Sequence, residues 1–177
     1  MSIPKVAKLA ILGGCAGGIE TLALFGVSLL NLNKCSLYID FLLGGLFFIL
    51  VAIGIMTSFI ISDRAFLEKK YKTLIIGAIG GFLSGLFFHF GIGLYIGIII
   101  FSIIVGIGLR VINIDRSIFV MLGGMVGGIW GVVSSTFVLL LLLTTKNNSS
   151  IISSVLSTAL ITYFINFGML YAYKFKQ

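Results

Sequence analysis

The chain has 177 residues, of which 59% are hydrophobic and only 10% charged, with a formal net charge of +7. A water-soluble domain carries about 25% charged residues, so the composition excludes a chain that covers its own surface in water. It points to one transmembrane domain over residues 1–177, with the lipid bilayer as solvent. With 23 Gly and one Pro the sequence favours a helical bundle, because Gly lets membrane helices approach closely. A β-barrel needs ~10-residue alternating segments, and runs such as Phe137 to Leu143 do not alternate.

In chain order, six apolar segments are each long enough to cross a ~30 Å hydrocarbon core. They run from Ala10 to Leu30, Leu37 to Ile61, Thr73 to Phe90, Gly93 to Leu109, Ser117 to Leu143 and Ile151 to Tyr173. The third and fourth are joined only by a tight link at Gly91 to Gly93. Glu20 interrupts the first run, so that run reads as an uncleaved helix rather than a signal peptide. The predicted fold is an all-α integral membrane protein, a six-transmembrane-helix bundle. Lys and Arg fix its orientation. Lys5, Lys8, Arg64, Lys69, Lys70, Lys72, Arg110, Arg116, Lys174 and Lys176 fall on one side, and only Lys34 and Lys146 on the other. That bias predicts cytoplasmic N- and C-termini. The positive charges are spread over four links, as the insertion rule requires, and form no stripe for nucleic acid.

The odd-numbered spans repeat a small-residue pattern. The first carries Gly13 and Gly17, the third Gly77, Gly81 and Gly85, and the fifth Gly123, Gly127 and Gly131. A spacing of four places these glycines along one helix face, which forms a groove for a second helix. Gly17 lies nine residues after Lys8, Gly81 nine after Lys72, and Gly127 eleven after Arg116. The grooves therefore sit at matched depth, roughly 14 to 17 Å above the charges. The even-numbered spans are bulkier, and three hairpins of one Gly-rich and one bulky helix account for the pattern.

Among polar residues Glu20 stands first. It lies about 18 Å beyond Lys8, near mid-membrane, where a carboxylate costs at least ~2.5 kcal/mol. Thr21 is its neighbour, and Ser84 and Thr162 lie at comparable depth. Tyr163 and Asn166 share a helix face near Thr162. This set is the expected ligand or ion pathway, with helix-to-helix hydrogen bonding as the structural role of Asn166. Ser134, Ser135 and Thr136 in the fifth span and Ser153, Ser154, Ser157 and Thr158 in the sixth form outer polar bands. These either line a wet vestibule or bond their own helix backbone. Asp40 and His89 lie near the outer surface, and a lone His lacks the companions of a haem or zinc site. Cys15 and Cys35 are too far apart along a helix to bridge. Asp63, Arg64, Glu68 and Asp115 read as solvated loop charges, and Trp130 as a packed side chain.

No His-Glu-x-x-His, Gly-x-Ser-x-Gly or Walker loop is present, so no enzyme, metal or cofactor is expected. Two function classes remain. One is a transport component for a small solute or ion, either a channel protomer or a substrate-binding membrane subunit. The other is a non-catalytic membrane subunit, or an assembly, immunity or defence-type protein, that docks other helices through its Gly-x-x-x-Gly faces. Expected partners are the bilayer and further copies or other membrane subunits. In size, span number and inward termini the chain resembles the substrate-binding subunits of vitamin-type energy-coupling transporters. That resemblance implies small-residue faces that dock a membrane partner, and it assigns no residue a role. The first outer link, Asn31 to Ser36, is short for a lid over a vitamin. Short loops suit a bacterial or archaeal plasma membrane, and the sequons in Asn147 to Ser150 matter only in a secretory membrane.

Overall fold

The computed structural model describes residues 2–29, 37–88, 93–144 and 150–175. Lys34, Cys35, His89, the Gly91 link, Lys146 and the sequon asparagines lie outside the described residues, as does the side chain of Asp40. Every described element is a helix: α1 (Ile3–Leu29), α2 (Leu37–Ser62), α3 (Arg64–Glu68), α4 (Lys70–Phe88), α5 (Gly93–Val111), α6 (Ser117–Thr144) and α7 (Ser150–Lys174). An apolar solvent explains this choice, because a spanning helix satisfies its backbone N–H and C=O groups within itself. Five of the helices (α1, α2, α5, α6 and α7) are long and apolar enough to cross a membrane. The described part of α4 is 19 residues long and begins on Lys70 and Lys72.

The six long helices close into a ring. Each packs against its neighbours in the order α1, α2, α4, α5, α6, α7, and α7 returns to α1. Neighbours run antiparallel. Gly54 of α2 meets Leu12 and Ala16 of α1, Gly80 of α4 meets Phe101 and Ile104 of α5, and Gly106 of α5 meets Ser117 and Met121 of α6. Bulk and space are divided between alternate helices. The large buried side chains are Phe48, Ile55 and Phe59 of α2, Phe101 and Leu109 of α5, and Ile165 and Met169 of α7. The odd-numbered spans present buried glycine against them. Outward positions are apolar too. Leu46, Ile107, Ile129 and Phe137 are all exposed, as expected of a surface that faces lipid rather than water.

The glycine grooves are not used equivalently. Gly13 and Gly17 of α1 face α7, Gly77, Gly81 and Gly85 of α4 face α2, and Gly123, Gly127 and Gly131 of α6 face α7. Only α6 uses its groove for its own hairpin partner. The other two receive a helix from outside the hairpin, and α7 is clasped between two grooves. The repeat therefore describes where close approach is allowed and not a threefold plan. Trp130 also departs from expectation: it is 61% exposed on the outer face of α6 instead of packed.

Candidate functional site

Glu20 is buried, with 2% of its surface exposed. It shares a face of α1 with Val6, Ala10, Gly13 and Gly17, all buried and spaced by three or four residues. That face packs on α7, where a methyl group at Gly17 would run into the Thr162 side chain. The Glu20 carboxyl lies one turn beyond this contact. Beside it the Thr21 hydroxyl donates to the Gly17 carbonyl at 3.1 Å.

Toward the charged end of the same interface Asn166 joins three helices. Its Oδ1 accepts from Ser58 Oγ of α2 at 2.7 Å. Its Nδ2 reaches the carbonyls of Leu9 and Ala10 in α1 at 3.4 and 3.3 Å. Ser58 also lies 2.5 Å from the Ile55 carbonyl, and its single proton serves one acceptor at a time. Asn166 is fully buried and sits over Gly13, whose added Cβ would come within 2.9 Å of it. Only a glycine leaves room for this amide.

The remaining pathway residues are not gathered into one chamber. Ser84 gives its hydroxyl to the carbonyls of its own helix at Gly80 and Gly81, and α4 stands between α2 and α5, away from α1. Thr162 bonds to Thr158 and Ala159 carbonyls of α7. Tyr163 packs over Gly14, and its ring stacks on Phe167 at 6.2 Å, the first step of a ladder through Tyr171 to Phe175. Hydroxyls of the outer bands also turn inward to the backbone: Ser135 and Thr136 donate to the Val132 carbonyl and Thr158 to that of Ser154. Ser157 and Ser102 are buried hydroxyls without a hydrogen-bond partner in the described structure.

Compared with known protein families, curated proteins and solved structures, the chain matches none. The architectural resemblance to energy-coupling subunits gains no support from these comparisons. Among the described residues no group of three His, Cys, Asp or Glu side chains could hold a metal ion.

A second polar constellation, at the charged end of the ring, escaped the reading of single residues. Asp63 is not a solvated loop charge. It caps α3 by accepting from the Ala65 amide at 3.1 Å, and its Oδ2 receives Lys174 Nζ at 2.5 Å and the Tyr173 hydroxyl at 3.3 Å. Burial alone would raise the Asp63 carboxyl. The Lys174 ammonium, the Ala65 amide and the Tyr173 hydroxyl outweigh it and hold the group below its ordinary value of 3.8. Arg116 Nη1 donates to the Tyr173 carbonyl at 3.1 Å, and Lys69 Nζ donates to the Ile112 and Asn113 carbonyls. Phe66 of α3 is fully buried against Phe59 and Tyr173, with ring centroids 5.1 Å apart in both pairs. The short helix α3 thus lies over this end with its aromatic ring inserted into the core. An Asp ahead of Phe66 and Leu67 was the one local signal for it. The Asp63–Lys174 pairing spans 111 residues of sequence and left no local mark.

Proposed function

We propose that the chain spans the membrane six times with both termini in the cytoplasm, and that it is a transport component for a small solute or ion with Glu20 on the path. One observation carries the reading. Glu20 is a carboxyl buried on the α7-facing side of α1, at a depth where an ionisable group costs several kcal/mol unless it is neutral, wet or paired. Such a cost is retained at pathways and proton relays more than at packing positions. The alternating ring supports the even span count, since removing α4 would leave α2 and α5 parallel. The ten-to-two distribution of Lys and Arg supports the orientation.

The docking alternative is weakened by the same geometry. The glycine faces of α1 and α4 are filled by α7 and α2 of the same chain, so they are not available to other subunits. The transport reading is tested by reconstituting wild type and Glu20→Gln into vesicles with an entrapped pH-sensitive dye and imposing proton and monovalent-cation gradients. Wild-type flux above protein-free vesicles, reduced at least tenfold by Glu20→Gln with helix content and membrane integration unchanged, is the expected result. Equal flux in both proteins removes Glu20 from the path. The absence of wild-type flux removes proton and monovalent-cation conduction.

A further inference from the structure

The outer surface between α6 and α7 carries a groove of about 490 Å³ whose lining is almost wholly apolar. Its floor is glycine: Gly123 and Gly127 of α6 lie directly on Gly168 of α7. With no side chains to fill the seam, the two backbones meet and a trough is left above them. Its walls are large and aromatic, with Phe119 and Trp130 from α6 and Phe167 and Tyr171 from α7. The α6 lining residues Phe119, Leu122, Val126 and Trp130 fall on one helix face. From Phe119 to Trp130 the trough extends about 16 Å at 1.5 Å per residue. That is close to the ~15 Å half-thickness of a hydrocarbon core.

The trough does not end in apolar surface. Phe119 also lines a second, polar cleft of about 420 Å³, formed by the α5–α6 link with Arg110, Asn113, Asp115, Arg116 and Ser117. This link is shaped by two residues with positive φ, Asn113 at 55° and Arg116 at 69°. Asn tolerates that conformation, whereas Arg rarely adopts it. The Arg116 backbone is held there while its guanidinium reaches the Tyr173 carbonyl, next to the groove residues Tyr171 and Ala172. Arg110 is exposed at the end of α5, and Lys69 is tied to the same link through the Ile112 and Asn113 carbonyls. Asp115 is the one acid lining the cleft, against two arginines in its lining and Lys69 behind it. A net-positive cleft at the charged end thus adjoins, at Phe119, an aromatic trough one leaflet deep.

We infer that the α6–α7 groove and the α5–α6 cleft together form a binding site for one anionic phospholipid of the inner leaflet, with its phosphate beside Arg110 and Arg116 and an acyl chain along the glycine-floored trough. The inference rests on the membrane reading alone and is independent of transport. Length and charge select this occupant. A helix from a second copy would meet no need for the basic cleft, and a free phosphate no need for the trough. The aromatic walls and the absent side chains of Gly123, Gly127 and Gly168 supply a surface on which a flexible chain lies without displacing protein atoms.

The test is native mass spectrometry of the full chain, purified in detergent and washed free of lipid. It is titrated with phosphatidylglycerol and with phosphatidylcholine of identical chains. One phosphatidylglycerol per chain, bound at least tenfold more tightly than phosphatidylcholine, is expected. Arg110→Gln should weaken phosphatidylglycerol about fivefold, the effect of one basic residue near an anionic lipid, and leave phosphatidylcholine unchanged. Val126→Trp fills the trough from an exposed position and should weaken both lipids. Leu46→Trp, equally exposed on α2, should weaken neither. Equal binding of the two lipids, or indifference to Arg110→Gln and Val126→Trp, overturns the proposal. Full competition by inorganic phosphate reassigns the cleft to a free anion. A change of oligomeric mass with Val126→Trp at constant lipid binding reassigns the trough to a second copy. Release of the wild-type protein from membranes by alkaline washing would overturn the membrane reading itself, separately from the lipid titration.

Discussion

The same substitution should change sign at two glycines of this chain. At Gly127 a Cβ would run into the carbonyl group of Phe164 and the Cα of Gly168. These are backbone atoms of α7, so no rotamer change relieves the clash and the helices must separate. Overpacking of this kind costs about 1–3 kcal/mol. At Gly18 the nearest atoms are side-chain methyls of Val155 and Ala159 at 3.7 and 3.8 Å, ordinary van der Waals contact. There the gain in helix propensity, about 0.8–1 kcal/mol over Gly, stands unopposed. Gly127→Ala should therefore lower stability by a net of up to ~2 kcal/mol and Gly18→Ala raise it by up to ~1 kcal/mol. For a chain of this size that corresponds to as much as about 8 °C downward and about 4 °C upward in Tm. Both are measured by thermal unfolding of the detergent-solubilised protein, followed by intrinsic fluorescence and by loss of the monodisperse peak in size-exclusion chromatography. Equal shifts at the two positions would refute the claim that backbone contact at the α6–α7 seam sets the tolerance for side chains.

At the charged end, Asp63→Asn should cost about 3 kcal/mol at pH 7, because it leaves the Lys174 ammonium, whose side chain is only 7% exposed, without its partner. The folded Asp63 carboxyl titrates below its ordinary value of 3.8, so the wild-type advantage is full above that pH and fades as the pH falls through the lowered value. Chemical denaturation of both proteins between pH 7 and pH 2 reads this, and a gap that stays constant across the range would contradict it. At the three-helix node, Ser58→Ala should cost about 0.6 kcal/mol, and Asn166→Leu about 1–2 kcal/mol, within the range of interhelical hydrogen bonds in membranes. The double variant should be less destabilised than the sum of the two. Strict additivity in that cycle would mean that the 2.7 Å Ser58–Asn166 contact contributes nothing.

Hydropathy located the long helices well, because length and apolarity are local properties. The expected start at Ser117 coincides with that of α6. The first helix begins at Ile3 and not Ala10, since Lys5 and Lys8 end an apolar run without ending a helix. Glycine spacing showed which faces are flat. It did not show what lies on them, because Gly13 and Gly131 leave the same signature whether the facing residue is Asn166 or Ile161. Asn166 was legible as a hydrogen-bonding residue, yet its acceptors are backbone carbonyls of Leu9 and Ala10, which no side-chain pattern encodes. The expected link between Glu20 and Ser84 rested on depth alone. Depth orders residues along the bundle axis but not around it, and around the ring α4 is on the far side of α2 from α1.

The face of α1 that carries Gly13, Gly17 and Glu20 is completed by α7. Until α7 is in place, the Leu9 and Ala10 carbonyls lack the Asn166 amide, Ser58 lacks Asn166 Oδ1, and Asp63 lacks Lys174. These polar contacts between distant helices converge on α7, as do the glycine faces of α1 and α6. A helix clasped on two sides by glycine needs no strong apolar stripe of its own, which accounts for the mixed polar and aromatic sequence of α7. It also covers the face of α1 that carries the carboxyl. The α7 residues that meet Gly13 and Gly17 thereby set the surroundings of the one acidic side chain of α1.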